Sequence, residues 1–204
     1  YQGKKLEELE GLSATEKANM LFIVQDPYTS YYDAKVVRDF VALTQKLGLS
    51  PILLPFKPNG KAMHIKGFLA RFSKTAKTQA EFLNRVAKLN VPLVGVDPAI
   101  VLSYRDEYKE ALGDSRGDFH VLTAHEWLTN QLESNTLQSA VKNIAKSDRT
   151  FEWHLFPHCT ESTFMPNSPK EWQHIFAQFG QTLKVEKVGC CGMAGVFGHE
   201  VQNQ

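Results

Sequence analysis

Three cysteines carry most of the chemical information in this chain of 204 residues. Cys190 and Cys191 stand side by side in the segment Val188-Gly189-Cys190-Cys191-Gly192-Met193-Ala194-Gly195-Val196-Phe197-Gly198-His199-Glu200, and Cys159 lies 31 residues before Cys190. A cysteine kept for packing behaves as a small hydrophobe and needs no neighbouring thiol. Two adjacent thiols bracketed by glycines offer two soft donors to one point, and thiolates so placed suit zinc, copper(I) or an iron–sulfur cluster.

Other uses of the same residues remain open at this stage. The three thiols could be structural or oxidise: Cys190 and Cys191 are poorly placed to bridge each other, but either could reach Cys159. Nucleophilic catalysis by cysteine needs a base beside the thiol. His158 next to Cys159 is the suggestive pair, but neighbours on a strand point to opposite faces. His154 and His174 read as packed or surface residues, and His64, His120 and His125 carry still weaker signals. The Tyr28, Tyr31, Tyr32 cluster could stack on a ligand but reads first as packing, and Asp26 could be a polar remnant of a vacant site but reads first as a turn residue with Pro27. Lys66, Arg71, Lys74 and Lys77 read as a solvated helix face or a docking patch.

The elements that must position the thiols follow from hydrophobic spacing. Leu21 to Val24 is an apolar strand, and Asp33 to Leu47 places Val36, Val37, Phe40, Val41, Leu43 and Leu47 at helical intervals before Gly48. A strand at Pro51 to Leu54 leads through Lys57-Pro58-Asn59-Gly60 into a helical region from Ala62 to Leu89, which can break near Ser73 to Thr78. Strand Val91 to Val96 follows, then a helix from Ala99 to Leu112 capped by Asp97-Pro98. After the polar stretch Gly113 to Asp118 come a strand at Phe119 to Leu122, a helix, and a more polar helical connection from Thr136 to Thr150. Trp153 to Pro157 is a strand ending at Cys159, Pro169 to Phe179 a helix stopped by Gly180, and Leu183 to Val188 a strand running into Cys190.

The pattern repeats. Gly180 stands 132 positions beyond Gly48, and Gly192 stands 132 beyond Gly60. On that offset Trp153 to Phe156 overlies Leu21 to Val24, while Trp172, Ile175 and Phe179 overlie Phe40, Leu43 and Leu47, as a duplicated unit should give. Cys159 falls over Pro27, and Cys190-Cys191 over Pro58-Asn59, so the first half has the frame without the thiols. The expected fold is α/β, with two pseudo-repeated strand-helix-strand units and mainly parallel sheets whose ligands sit at the carboxyl ends of strands. The expected division is residues 1–18 as a linker, 19–113 as a first, cysteine-free repeat, and 114–204 as the repeat carrying the thiols.

With 23 basic and 22 acidic residues the net charge is +1, which gives no electrostatic footprint for nucleic acid. No stretch approaches the roughly 20 apolar residues of a membrane span, and the charged start has no signal-peptide core. An odd cysteine count with a vicinal pair suits a reducing compartment. The expected location is cytoplasmic, with a peripheral position at the inner membrane face compatible. The start at Tyr1 leads us to expect a piece of a longer polypeptide.

Cys159 followed by Cys190-Cys191-Gly192-Met193-Ala194-Gly195 resembles the CCG, or cysteine-rich, domain family, over roughly residues 20 to 204. That family includes the cysteine-rich component of heterodisulfide reductase and the iron–sulfur components of glycolate oxidase and anaerobic glycerol-3-phosphate dehydrogenase. The tail through His199-Glu200 is most similar to the C-terminal part of large FAD-linked oxidoreductases acting on D-2-hydroxy acids such as D-lactate or D-2-hydroxyglutarate. The family unit is a cysteine, a spacer, Cys-Cys-Gly, a second spacer and a last cysteine, present twice. Here Asp26-Pro27, Pro58-Asn59 and Asp97-Pro98 replace the first set, and the last cysteine of the second set is not reached by Gln204.

The resemblance implies an iron–sulfur cluster of 4Fe-4S type held by Cys159, Cys190 and Cys191, with His158 and His199 as substitutes for a fourth ligand. It implies that Gly192 and Gly195 let backbone N–H groups approach the bound group. It further implies FAD on another part of the protein, electron flow out through iron–sulfur centres, and FAD and ferredoxin-like domains as partners. The alternative is a structural or docking module that binds zinc or stays apo. Neither reading expects these residues to catalyse anything by themselves.

Overall fold

The computed structural model describes residues 4–133, 137–144, 151–193 and 198. Two short helices, α1 (Leu6–Glu10) and α2 (Ala14–Lys17), lead into β1 (Met20–Val24), a π-helical turn at Tyr28–Tyr32, α3 (Ala34–Lys46) and β2 (Ser50–Leu53). Then come α4 (Lys61–Ile65), α5 (Leu69–Ala87), β3 (Leu93–Gly95), α6 (Pro98–Arg105), α7 (Glu107–Leu112), a 3-10 turn at Gly113–Arg116, β4 (Val121–Thr123) and α8 (Ala124–Glu133). The rest comprises α9 (Gln138–Ile144), β5 (Glu152–Leu155), α10 (Cys159–Phe164), α11 (Ser168–Gln178) and β6 (Thr182–Val185).

The fold is α/β with parallel strands throughout the described residues: a four-stranded sheet in the order β2-β1-β3-β4, and a separate pair β5-β6. β1 is Met-Leu-Phe-Ile-Val, an unbroken apolar run of the kind that covered parallel sheets require. Its side chains alternate between two cores. Phe22 and Val24 face Phe72, Ala76, Ala80 and Leu83 of α5 together with Tyr104 and Tyr108, whereas Leu21 and Ile23 face Phe40 of α3 and Trp127 of α8. Each such apolar side chain contributes roughly 1.5–3 kcal/mol by leaving water. Ile175 of α11 joins the second of these cores, which fastens the β5-β6 region onto the larger sheet.

The two ladders share a register. Leu21 pairs with Pro51 and Ile23 with Leu53; Trp153 pairs with Leu183 and Leu155 with Val185, each 132 positions later. Gly48 and Gly180 both take positive φ, at 83° and 69°, as do Gly60 and Gly192, at 81° and 78°. A left-handed backbone of this kind favours glycine.

Some expectations shift. The long helical region breaks at Lys66–Phe68, where Gly67 has φ 75°, and runs unbroken through Ser73 to Thr78. The polar residues there are carried by Phe72, Ala76 and Ala80, which pack inward. The strand expected to continue to Cys159 stops at Leu155, and Cys159 instead opens α10. His158 is thus the N-cap residue of a helix rather than a strand residue.

Candidate functional site

In an open parallel sheet the carboxyl ends of strands leave a crevice where the strand order reverses. In the four-stranded sheet that point lies between β1 and β3, flanked by Asp26 and Tyr28 after β1 and Asp97 after β3. A cavity of about 430 Å³ opens there. Tyr28, Lys61, Ile65, Asp97 and Ala99 form one wall, and His158, Cys159, Thr160, Cys190, Cys191 and Met193, which follow β5 and β6, form the other. The carboxyl ends of both sheets therefore face one space, and all three cysteines line it.

Local structure explains how the thiols reach it. Cys159 is delivered by the turn from β5 into α10, and Cys190-Cys191 by the loop after β6. Gly192 bends that loop back so that its N–H donates to Cys190 Sγ at 3.4 Å. All three thiols are exposed and none is in a disulfide. In kind, three thiolates and an imidazole match an iron–sulfur or zinc site. In arrangement they do not yet: among the described residues no three His, Cys, Asp or Glu side chains lie close enough to hold a metal ion together. The cavity as it stands is an open thiol pocket.

The opposite wall carries polar groups, of which the Tyr28 hydroxyl is buried without a hydrogen-bond partner. Asp26 is 2 % exposed and accepts from Thr29 N–H at 2.9 Å and from the Thr29 hydroxyl. Burial, reinforced by Asp97, holds its carboxyl above the ordinary range against those bonds. Burial, then Asp97, also raises the Tyr28 phenol, whose hydroxyl is buried without a partner. Asp97 Oδ1 accepts from Ile100 N–H at 3.0 Å as the N-cap of α6, and Lys61 pairs with Glu107. Tyr104 sits behind, its phenol raised by burial, against the lowering effect of the Gln79 side chain, and further by Asp26 and Asp97.

Gly195 and His199 lie outside the described residues. His154 contacts Glu186 at 2.6 Å, and His64 packs on Phe72, both away from the thiol cavity. His125 is buried with Nδ1 3.0 Å from Thr123 Oγ1 and both nitrogens 3.3 Å from carboxylates of Glu161 and Glu171, a link between α8 and the α10-α11 region. Lys66, Arg71, Lys74 and Lys77 are exposed. Tyr28 was raised only as an aromatic that could stack on a ligand, and Lys61 and Asp97 were not legible as site residues. The available signal was their position just after β1, at the start of α4 beyond β2, and just after β3.

Over the full chain the protein is 81% identical to a D-2-hydroxyglutarate dehydrogenase of Haemophilus influenzae. It is 58% identical over 97% of its length to one of Escherichia coli, and 37% identical over 96% to one of Pseudomonas putida. The chain spans about a fifth of the length of these relatives, 20%, 19% and 18% in turn. No family model matches it, and no solved structure does. No helix among the described residues is long and apolar enough to cross a membrane.

Proposed function

We propose that this chain is the cysteine-rich electron-transfer part of an FAD-linked enzyme that oxidises a D-2-hydroxy acid, with D-2-hydroxyglutarate as the substrate indicated by the relatives' names. The observation that carries this reading is that all three cysteines, from two different strand ends, line one cavity. In this reading Cys159, Cys190 and Cys191 hold an iron–sulfur cluster, and His158, on the same wall, is the nearest candidate for a further donor. When bound, such a cluster supplies one-electron transfer between the flavin and an acceptor. FAD and ferredoxin-like domains belong to the remaining four-fifths of the polypeptide.

The chain's own residues would prepare the site. Gly192 directs its N–H to the Cys190 sulfur, and hydrogen bonds to ligand sulfur are one of the ways a protein sets a cluster's potential. Ile65, Ala99 and Met193 give the pocket an apolar share of its lining. The closure that draws the thiols together would come from the loop holding Cys190 and Cys191, the least covered of the elements involved. The shared register and paired left-handed glycines support reading the two halves as copies of one unit, of which the first exchanged its thiols for the Asp26, Asn59, Asp97 set.

The test is iron, zinc and acid-labile sulfide analysis of the anaerobically purified whole polypeptide beside Cys190→Ser and Cys191→Ser. Iron with sulfide, lost in both variants, is expected. Zinc without sulfide, or no metal in the folded protein, would replace this reading with a structural module.

A further inference from the structure

β1 is paired on both edges, by β2 and β3, whereas among the described residues β5 is paired by β6 alone. The likeness of the two ladders reaches single bonds. Leu54 N–H donates to Ile23 O at 3.0 Å, and Glu186 N–H donates to Leu155 O at 2.9 Å, donor and acceptor both 132 positions later. On its other edge, Phe22 N–H donates to Pro92 O at 2.8 Å. His154 stands at the corresponding place in β5. By strand alternation its N–H, and that of Phe156, point away from β6 toward the open edge.

Side-chain burial differs in the same sense. Phe22 and Val24 are 0% and 5% exposed beneath α5, while Phe156, 132 positions beyond Val24 and just past the end of β5, is 67% exposed. A strand edge unpaired among the described residues, beside an exposed aromatic ring, is a surface that proteins ordinarily cover.

We infer that this edge and face take up a helix-then-strand crossover from elsewhere in the same polypeptide. Its strand would lie parallel to β5 as β3 lies beside β1, and its helix would cover Phe156 as α5 covers Val24. This rests on the two-copy part of the function proposed above. Three observations select that occupant. The relatives are about five times as long as this chain, which supplies the segment. The existing β5-β6 pair is parallel, and a right-handed crossover with a helix is how a parallel neighbour arrives. A second copy related by a two-fold axis would instead meet β5 antiparallel to itself over four residues, a small contact.

The experiment is amide-resolved hydrogen exchange on the whole polypeptide, with a photo-crosslinking phenylalanine analogue at position 156 in a parallel sample. The His154 and Phe156 amides should exchange as slowly as Phe22 and Val24, to within about tenfold, and the crosslink should join position 156 to a segment of the same polypeptide outside these 204 residues. Exchange at the rate of a solvated edge, a crosslink between two polypeptides, or a crosslink into residues 1–204 would overturn the inference. Metal analysis of the same preparation separates the two proposals. Slow exchange without iron would fail the cluster and leave the docked crossover standing, and fast exchange with iron would do the reverse.

Discussion

Val24 and Phe156 each stand one residue beyond the last rung of two ladders that share a register, yet one is buried and the other stands two-thirds exposed. The difference lies in what surrounds each strand pair. β1-β2 is flanked by β3 and enclosed by helices on both faces, and its carboxyl end carries the buried Asp26 and Asn59 and the half-buried Asp97. β5-β6 has α11 packed toward the larger sheet, and its carboxyl end carries three exposed thiols. Two strand pairs with the same register can therefore differ in their surroundings, one lying in the core and the other keeping reactive groups at the surface.

The sharpest break of that comparison is by truncation at matched positions. Phe22→Ala should lower the unfolding free energy by about 3–5 kcal/mol in urea titrations, the usual cost of emptying a core aromatic site. His154→Ala, at the corresponding exposed position, should stay within about 0.5 kcal/mol.

The matched glycines give a finer contrast. Both Gly60→Ala and Gly192→Ala force an L side chain into left-handed backbone, at about 1–2 kcal/mol each. A Cβ at Gly60 would also stand 2.9 Å from Phe72 Cδ2, whereas Gly192 has open space around it. Gly60→Ala should therefore be the more destabilising by a further overpacking cost of about 1–3 kcal/mol, read from the shift in urea midpoint.

A smaller effect should appear in pH dependence. Burial first, then Asp97, raises the Asp26 carboxyl above its ordinary value, so the unfolded chain ionises first as pH rises from about 4. Ionisation then favours the unfolded state until the pH passes the raised value. Asp26→Asn keeps an acceptor for the Thr29 N–H and has no charge to bury. Its stability relative to the parent should climb across that window and level above it, with no such climb below pH 4. A constant difference at every pH would show that Asp26 ionises as freely in the fold as outside it.

The α/β class and parallel strands were legible because apolar runs such as Met20–Val24 and the spacing from Ala34 to Lys46 leave little choice of period. The helix break was misplaced because Ser73 to Thr78 looks polar in isolation. The inward packing of Phe72 and Ala76, and the left-handed Gly67, are features of the tertiary structure. α10 was missed because its polar sequence has too few apolar residues to show a period, so Cys159 was assigned to a strand end. The cysteines were legible by type and spacing. Tyr28 was legible only as an aromatic that could stack on a ligand, and Lys61 and Asp97 not at all, because only the docking of one strand pair against the other makes the three neighbours of the thiols.

The most direct test of the central claim is EPR spectroscopy of the anaerobic whole polypeptide, before and after addition of D-2-hydroxyglutarate or dithionite, beside Cys159→Ser, Cys190→Ser and Cys191→Ser. The account predicts an iron–sulfur signal that changes on reduction and is lost or altered in each variant. A fully active, well-folded protein whose signals are the same in all three variants would contradict it, because the thiol cavity would then hold no redox centre.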